Sequence, residues 1–185
     1  MCIFRMRHPA FPTLAMMLAL VAPLSAQGRW SATVHGGVGF PVGDFADDAG
    51  EEAGLATVGF ALGSDLAMRI DAVTGLEWLS TIQGITFGVD EDIFGDLAPG
   101  ASVDLGRYWG ALAMTGLRWG ADAGGARIHF TGQFAAGAVK APGAEFSAMG
   151  ETAELVSSWN PAKGYSVGAG ADIGDRLVLD VRYEA

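Results

Sequence analysis

Arg107-Tyr108-Trp109-Gly110-Ala111-Leu112-Ala113-Met114-Thr115-Gly116-Leu117-Arg118-Trp119 is the stretch that decides the fold. Read at period two, one side carries Trp109, Ala111, Ala113, Thr115, Leu117 and Trp119, and the other Tyr108, Gly110, Leu112, Met114, Gly116 and Arg118. That is the alternation of an extended strand. Ten residues at about 3.3 Å each, tilted by roughly 40°, rise about 25 Å, the height of the apolar band on a membrane-spanning barrel. A Trp at each end suits the two membrane–water interfaces, because the ring is largely apolar while its N–H wants a polar partner. A soluble strand with two core Trp would look the same, so repetition of the pattern elsewhere decides between them.

The pattern recurs along the chain. Arg29 to Phe40 sets Trp30, Ala32, Val34, Gly36, Val38 and Phe40 against Ser31, Thr33, His35, Gly37 and Gly39. Leu55 to Leu62 reads as a second strand, Gly63-Ser64-Asp65 as a short turn, and Leu66 to about Leu79 as a third strand ending on Trp78, with Arg69, Asp71 and Glu77 on its polar side. After the opening stretch as strand four, Gly120 to Gly125 predicts a turn. Strand five runs from Arg127 to Val139 and strand six from Tyr165 to Ile173, the latter with Asp172 on its inner phase. Gly174-Asp175-Arg176 predicts another turn, before a final strand with Leu177, Leu179, Val181 and Tyr183 opposite Asp180, Arg182 and Glu184. The connections alternate long and short, the long ones falling at about 44–52, 81–105 and 140–161. Long loops on one side and tight turns on the other are what outer-membrane barrels show.

Residues 1–26 predict an export signal: Arg5, Arg7 and His8 precede an apolar run from Leu14 to Val21, and Leu24-Ser25-Ala26 offers a small-residue cleavage site before Gln27. The start could be Met1 or Met6. No later segment approaches the ~20 apolar residues of a spanning helix, so insertion would use strands. Cys2 is the only cysteine and lies in the leader, which excludes a disulfide in the mature part. The formal net charge of −10 becomes −12 without the leader, which carries Arg5 and Arg7 and no acid. That balance argues against nucleic acid, whose phosphates need clustered cations. The mature part, 27–185, is one domain in size.

These segments and turns together resemble the small outer-membrane β-barrel superfamily of the OmpA and OmpX type, with Gly39-Phe40-Pro41-Val42-Gly43-Asp44-Phe45 looking like a strand-one exit of such domains. The resemblance implies an all-β, antiparallel up-and-down meander of eight strands in a bacterial outer membrane, contact with outer-membrane lipid and with the barrel insertion machinery, and no particular chemistry. Seven strands are present. Because single-chain bacterial barrels have even strand counts, the chain is expected to be a C-terminal truncation. Strand seven should then lie at an open edge beside a gap, or the edges of strands one and seven should be drawn together.

The inner phase predicts a polar network of Arg69, Asp71, Glu77, Arg118, Arg127, His129, Asp172, Asp180 and Arg182. An eight-stranded barrel has room inside only for side chains, so these should pair and plug it. Trp30, Phe40, Trp78, Trp109, Trp119, Tyr165 and Tyr183 are the expected interfacial aromatics. The expected role is structural or surface-interacting, without catalysis, cofactor or metal, and with a narrow pore or a soluble lipocalin-like binder as alternatives. Lipid-modifying barrels present His and Ser to lipid, and the outward faces as read here hold neither. Thirteen of the 21 acids fall in the three long loops, a possible surface for an extracellular partner. Asp90, Asp92, Gly95 and Asp96 resemble a calcium loop but fail it, since Phe94 and Ala101 stand at ligand positions.

Overall fold

The structure, a computed structural model, describes residues 29–42, 45–46, 54–90, 102–148, 151–174 and 177–185, and 13–20 for the backbone alone. It is all-β and antiparallel. The strands are β1 (Thr13–Leu20), β2 (Trp30–Pro41), β3 (Ala56–Arg69), β4 (Leu76–Val89), β5 (Ser102–Leu105), β6 (Tyr108–Ala123), β7 (Ala126–Lys140), β8 (Ala144–Ala148), β9 (Glu151–Leu155), β10 (Trp159–Ile173) and β11 (Leu177–Glu184). Eight of them close a barrel in the order β1-β11-β10-β7-β6-β4-β3-β2, an up-and-down meander, while β5, β8 and β9 form a separate three-stranded sheet.

Between β2 and β11 the structure places β1. Its register runs Thr13 opposite Glu184 to Leu20 opposite Leu177 on one edge, and Thr13 opposite Pro41 to Met16 opposite Val38 on the other. Neither the open edge nor the direct closure expected of a seven-stranded sheet is seen. An apolar segment from within the residues read as a leader thus pairs along the whole of β11 and with the loop-end residues 38–41 of β2, supplying edge partners that a sheet in lipid needs.

Two strand assignments are corrected. Gly63-Ser64-Asp65 is not a turn: β3 runs straight through it, with Gly63 opposite His35 on β2 and Gln83 on β4. The tripeptide has turn composition, but Gly63 is small for another reason. A Cβ there would lie 2.6 Å from His35 Nε2 and 2.7 Å from the Ile82 carbonyl oxygen. The true turn spans 70–75 and is closed by Leu76 N–H to the Val73 carbonyl at 3.2 Å, with Gly75 at φ +80°. Consequently β4 starts at Leu76, and the long loop begins near residue 90 rather than 81. Splitting one strand and fusing two others leaves their number unchanged, so the alternation of long and short connections survives.

The outer wall is apolar and bare, with Phe134 79 % and Ile82 71 % exposed. Trp119 stacks on Phe130 (centroids 6.5 Å apart), and Tyr165 lies beside Tyr183 (6.4 Å). Trp30, Phe40, Trp78 and Trp109 are likewise exposed on this wall, and Trp159, absent from the expected set, joins them. At the loop end Phe45 turns back inward, packing edge-on against Phe87 (5.3 Å) and Tyr108 (4.9 Å). Tyr108 Oη donates to the Gly54 carbonyl at 2.7 Å, pinning that loop to the barrel mouth.

Candidate functional site

The interior is the candidate site, and its polar groups fall into tiers along the barrel axis. Nearest the tight turns, Glu77 on β4 receives two arginines. Arg118 of β6 donates Nε to Oε2 at 2.8 Å and brings Nη2 to 2.6 Å, while Arg127 of β7 donates Nη1 to Oε1 at 2.8 Å. Arg127 Nη2 also donates to the Gly75 carbonyl at 3.1 Å, which ties the network to the 70–75 turn. Asp172 of β10 lies 3.9 Å from Arg127 Nη1 and 3.4 Å from His129 Nδ1.

In the middle tier Arg182 of β11 holds two carboxylates, with Nη2 2.9 Å from Asp65 Oδ2 and 2.8 Å from Asp180 Oδ2, and with Nε donating to the same Asp180 oxygen at 2.9 Å. Asp65 also accepts from Thr81 Oγ1 at 2.5 Å, and Thr81 in turn accepts from Gln133 Nε2 at 3.0 Å. His35 Nδ1 is 3.5 Å from Asp65, and His129 Nε2 3.8 Å from Asp180. Both histidines are buried, His129 to 0 % exposure. Further toward the loops, Gln83 Nε2 reaches both oxygens of Glu184 at 3.2 Å.

The large polar side chains fit because glycines face them. A Cβ on Gly170 would lie 2.5 Å from His129 Nε2, and one on Gly168 would lie 2.9 Å from Arg182 Cγ. Small residues opposite large ones are how a narrow barrel accommodates its filling. A cavity of about 10 Å³ open to the centre of a water molecule remains between Thr33, His35, Asp65, Arg118, Asp180 and Arg182. Asp180 Oδ1, Arg182 Nη1 and both ring nitrogens of His35 make no hydrogen bond to protein here, and a void of this size and polarity suits one water.

Of the expected network, Glu77, Arg118, Arg127, His129, Asp172, Asp180 and Arg182 come together inside. Arg69 and Asp71 do not. Both are exposed at the tight-turn end, where Asp71 Oδ2 pairs with Arg29 Nη2 at 2.5 Å, because β3 ends at Arg69 and the phase read through 66–79 is broken by the turn. Asp65, Thr81 and Gln83 were missed, having been read as turn and loop. Continuous alternation of Ala61, Gly63, Asp65 and Ala67 was the available signal for the first of them. The outward faces, expected to hold no serine, carry Ser64 and Ser80, and Ser80 Oγ lies 3.3 Å from Thr115 Oγ1. Among the described residues no histidine joins them there. Of the thirteen loop acids, Asp90, Asp104, Glu145, Glu151 and Glu154 are described; the other eight, with the calcium-like residues 92–96 and Ala101, lie outside the described residues.

Comparison with protein-family models, with curated proteins and with solved structures gave no match.

Proposed function

We propose that the chain is an outer-membrane β-barrel of a two-membraned bacterium, exported by its N-terminal leader, with a structural or surface-interaction role, a plugged interior and no catalysis. The carrying observation is the inverted distribution of polarity. His35, Asp65, Glu77, Gln83, His129, Asp180, Arg182 and Glu184 are buried, while Phe60, Leu62, Ile82, Phe130 and Phe134 are more than half exposed. A lipocalin-like binder in water would have these reversed. In lipid the same arrangement is favourable, since neighbouring strands pair their backbone groups and the exposed wall meets acyl chains. Outer-membrane lipid and the barrel insertion machinery are the partners this reading entails, with the acidic loops as the surface for any extracellular partner. Heat-modifiable migration on a gel is expected for the refolded protein; migration unaffected by boiling, with full solubility without detergent, would remove the membrane reading.

A narrow pore is the second reading, favoured by the polar interior and its cavity. Against it stand the Asp65–Arg182–Asp180 cluster across the middle and Phe45, Phe87 and Tyr108 across the loop end. In planar bilayers the unmutated protein is expected to give no steady single-channel current; clear unitary steps would overturn the plugged interior.

Export carries its own test at the N-terminus. Cleavage before Gln27 removes β1 and leaves β2 and β11 facing each other across one strand's width. N-terminal sequencing of membrane-inserted protein is expected to start at Gln27. A start upstream of Thr13 would make β1 a barrel strand of the mature protein and end the leader reading.

A further inference from the structure

Charge on the outer wall is sorted by sign. On β2, β3, β4, β6, β7, β10 and β11, the positions in phase with the exposed aromatic and aliphatic side chains hold two charged residues, Lys140 and Lys163, and no acid. They are the only lysines in a chain with 21 acids and 11 basic residues. Both lysines lie beyond the strand limits read from alternation, because β7 extends to Lys140 and β10 begins at Trp159, well before Tyr165.

Both lysines lie on one pair of strands, toward the loop end. Lys140 stands directly opposite Trp109 on β6 and opposite Trp159 on β10, so one row across the sheet reads Thr86, Trp109, Lys140, Trp159. Both Trp are about half exposed. Arg107, two residues before Trp109 and in the same phase, is exposed and donates Nε to Thr86 Oγ1 at 3.2 Å, which fixes the guanidinium to this wall. Lys163 is four residues beyond Trp159 on the same face of β10. With strands about 4.8 Å apart and about 3.3 Å per residue, the Cα atoms of Lys140 and Lys163 are on the order of 14 Å apart, which two long flexible side chains can narrow toward one headgroup.

The small sheet carries acids in both phases. β5, β8 and β9 prolong β6, β7 and β10 in the same lateral order. Leu105, Ala144 and Leu155 form one cross-strand row of this sheet. Asp104, Glu145 and Glu154 form a cross-strand row in the opposite phase. Glu151, opposite Ala148, falls in the phase of Leu155, so the sorting by sign belongs to the barrel strands and not to the small sheet.

We propose that the outer wall at the loop end of β6, β7 and β10 is a binding site for the phosphate of a lipid headgroup, held by Lys140 between Trp109 and Trp159, with Arg107 on the loop side of the row and Lys163 reaching toward it from the other; this rests on the membrane reading above. Trp places the level of the row at the interface, where phosphates lie. Lysine stems lie along apolar surface while their ammonium groups reach the headgroup, and the guanidinium fork matches phosphate oxygens in pairs.

The test uses the full chain refolded into phosphatidylcholine vesicles, with Trp fluorescence quenched by brominated phosphatidylcholine or brominated phosphatidic acid at equal mole fraction. Phosphatidic acid is expected to be preferred about fivefold, the preference on the order of one well-placed cation near an anionic surface. Joint replacement by Arg107→Gln, Lys140→Gln and Lys163→Gln should bring the preference to one, while Lys140→Arg with Lys163→Arg keeps it; heat-modifiable migration verifies folding of each variant. Excess inorganic phosphate should leave the preference in place, and its abolition would assign the site to soluble phosphate and overturn the lipid site. Equal quenching by both lipids in the unmutated protein, or a preference unchanged in the triple variant, overturns the site while the membrane reading stands. Absence of quenching by either lipid removes both.

Discussion

Arg182→Ala is expected to cost the barrel about 3 to 5 kcal/mol, the range for leaving buried charges without their partner. Arg182 is 3 % exposed and is the cation nearest to two carboxylates, Asp65 and Asp180, which are themselves 6 % and 5 % exposed. After truncation Asp65 keeps Thr81 and the more distant His35, and Asp180 keeps His129 at 3.8 Å. Neither partner replaces a guanidinium. The measurement is the denaturant midpoint of unfolding from lipid vesicles, and an unchanged midpoint would mean the cluster contributes nothing. Arg182→Lys should lie in between, since a point charge cannot span both carboxylates as the fork does. Arg182→Met combined with Asp65→Asn and Asp180→Asn should regain most of the loss, because it removes the unpaired charges while preserving volume. If that triple variant stays as unstable as Arg182→Ala, the cost comes from packing and not from charge.

How much was legible in the sequence follows from which positions obey strict alternation. The 107–119 stretch has no turn residue that competes with its period, and β6 runs over Tyr108–Ala123 with Trp109 and Trp119 outward as read. Glu77, Arg118, Arg127, His129, Asp180 and Arg182 were found inside because each stands one residue from an outward apolar side chain. Asp65 was lost because Gly63-Ser64-Asp65 has the composition of a turn, whereas Gly63 is there to admit the His35 ring. Composition reports conformational freedom, but a glycine in a barrel wall also reports what stands opposite it. Arg69 and Asp71 were over-read for the complementary reason: alternation was carried across a turn whose positive-φ residue, Gly75, looks in sequence like any other wall glycine. The β5–β8–β9 sheet went unread because strands of four and five residues are too short to establish a period within loops. What closes the barrel was the least legible feature, since an apolar run such as Leu14 to Val21 satisfies a leader and a strand equally well.

Glu77→Ala is expected to be the second most damaging change in the interior, at about 3 kcal/mol, the lower end of the range for breaking a buried pair. Two guanidiniums lose their shared acceptor at once, which by partner count alone would make it the worst. Solvent decides otherwise: the Arg118 and Arg127 side chains are 12 % and 25 % exposed at the tight-turn end, against 7 % and 5 % for Asp65 and Asp180, so the freed cations can reach water as Arg182's carboxylates cannot. Arg127 also retains the Gly75 carbonyl at 3.1 Å and has Asp172 at 3.9 Å. Arg118→Ala should accordingly cost less than Glu77→Ala, and the double replacement should fall short of the sum of the two, because one loss removes the charge that the other stranded. Unfolding midpoints of the four proteins in the cycle measure that coupling. Glu77→Ala matching or exceeding Arg182→Ala would show that water does not reach the tight-turn end. Strict additivity with Arg118→Ala would show that the 2.6 Å approach of the two groups carries no net energy.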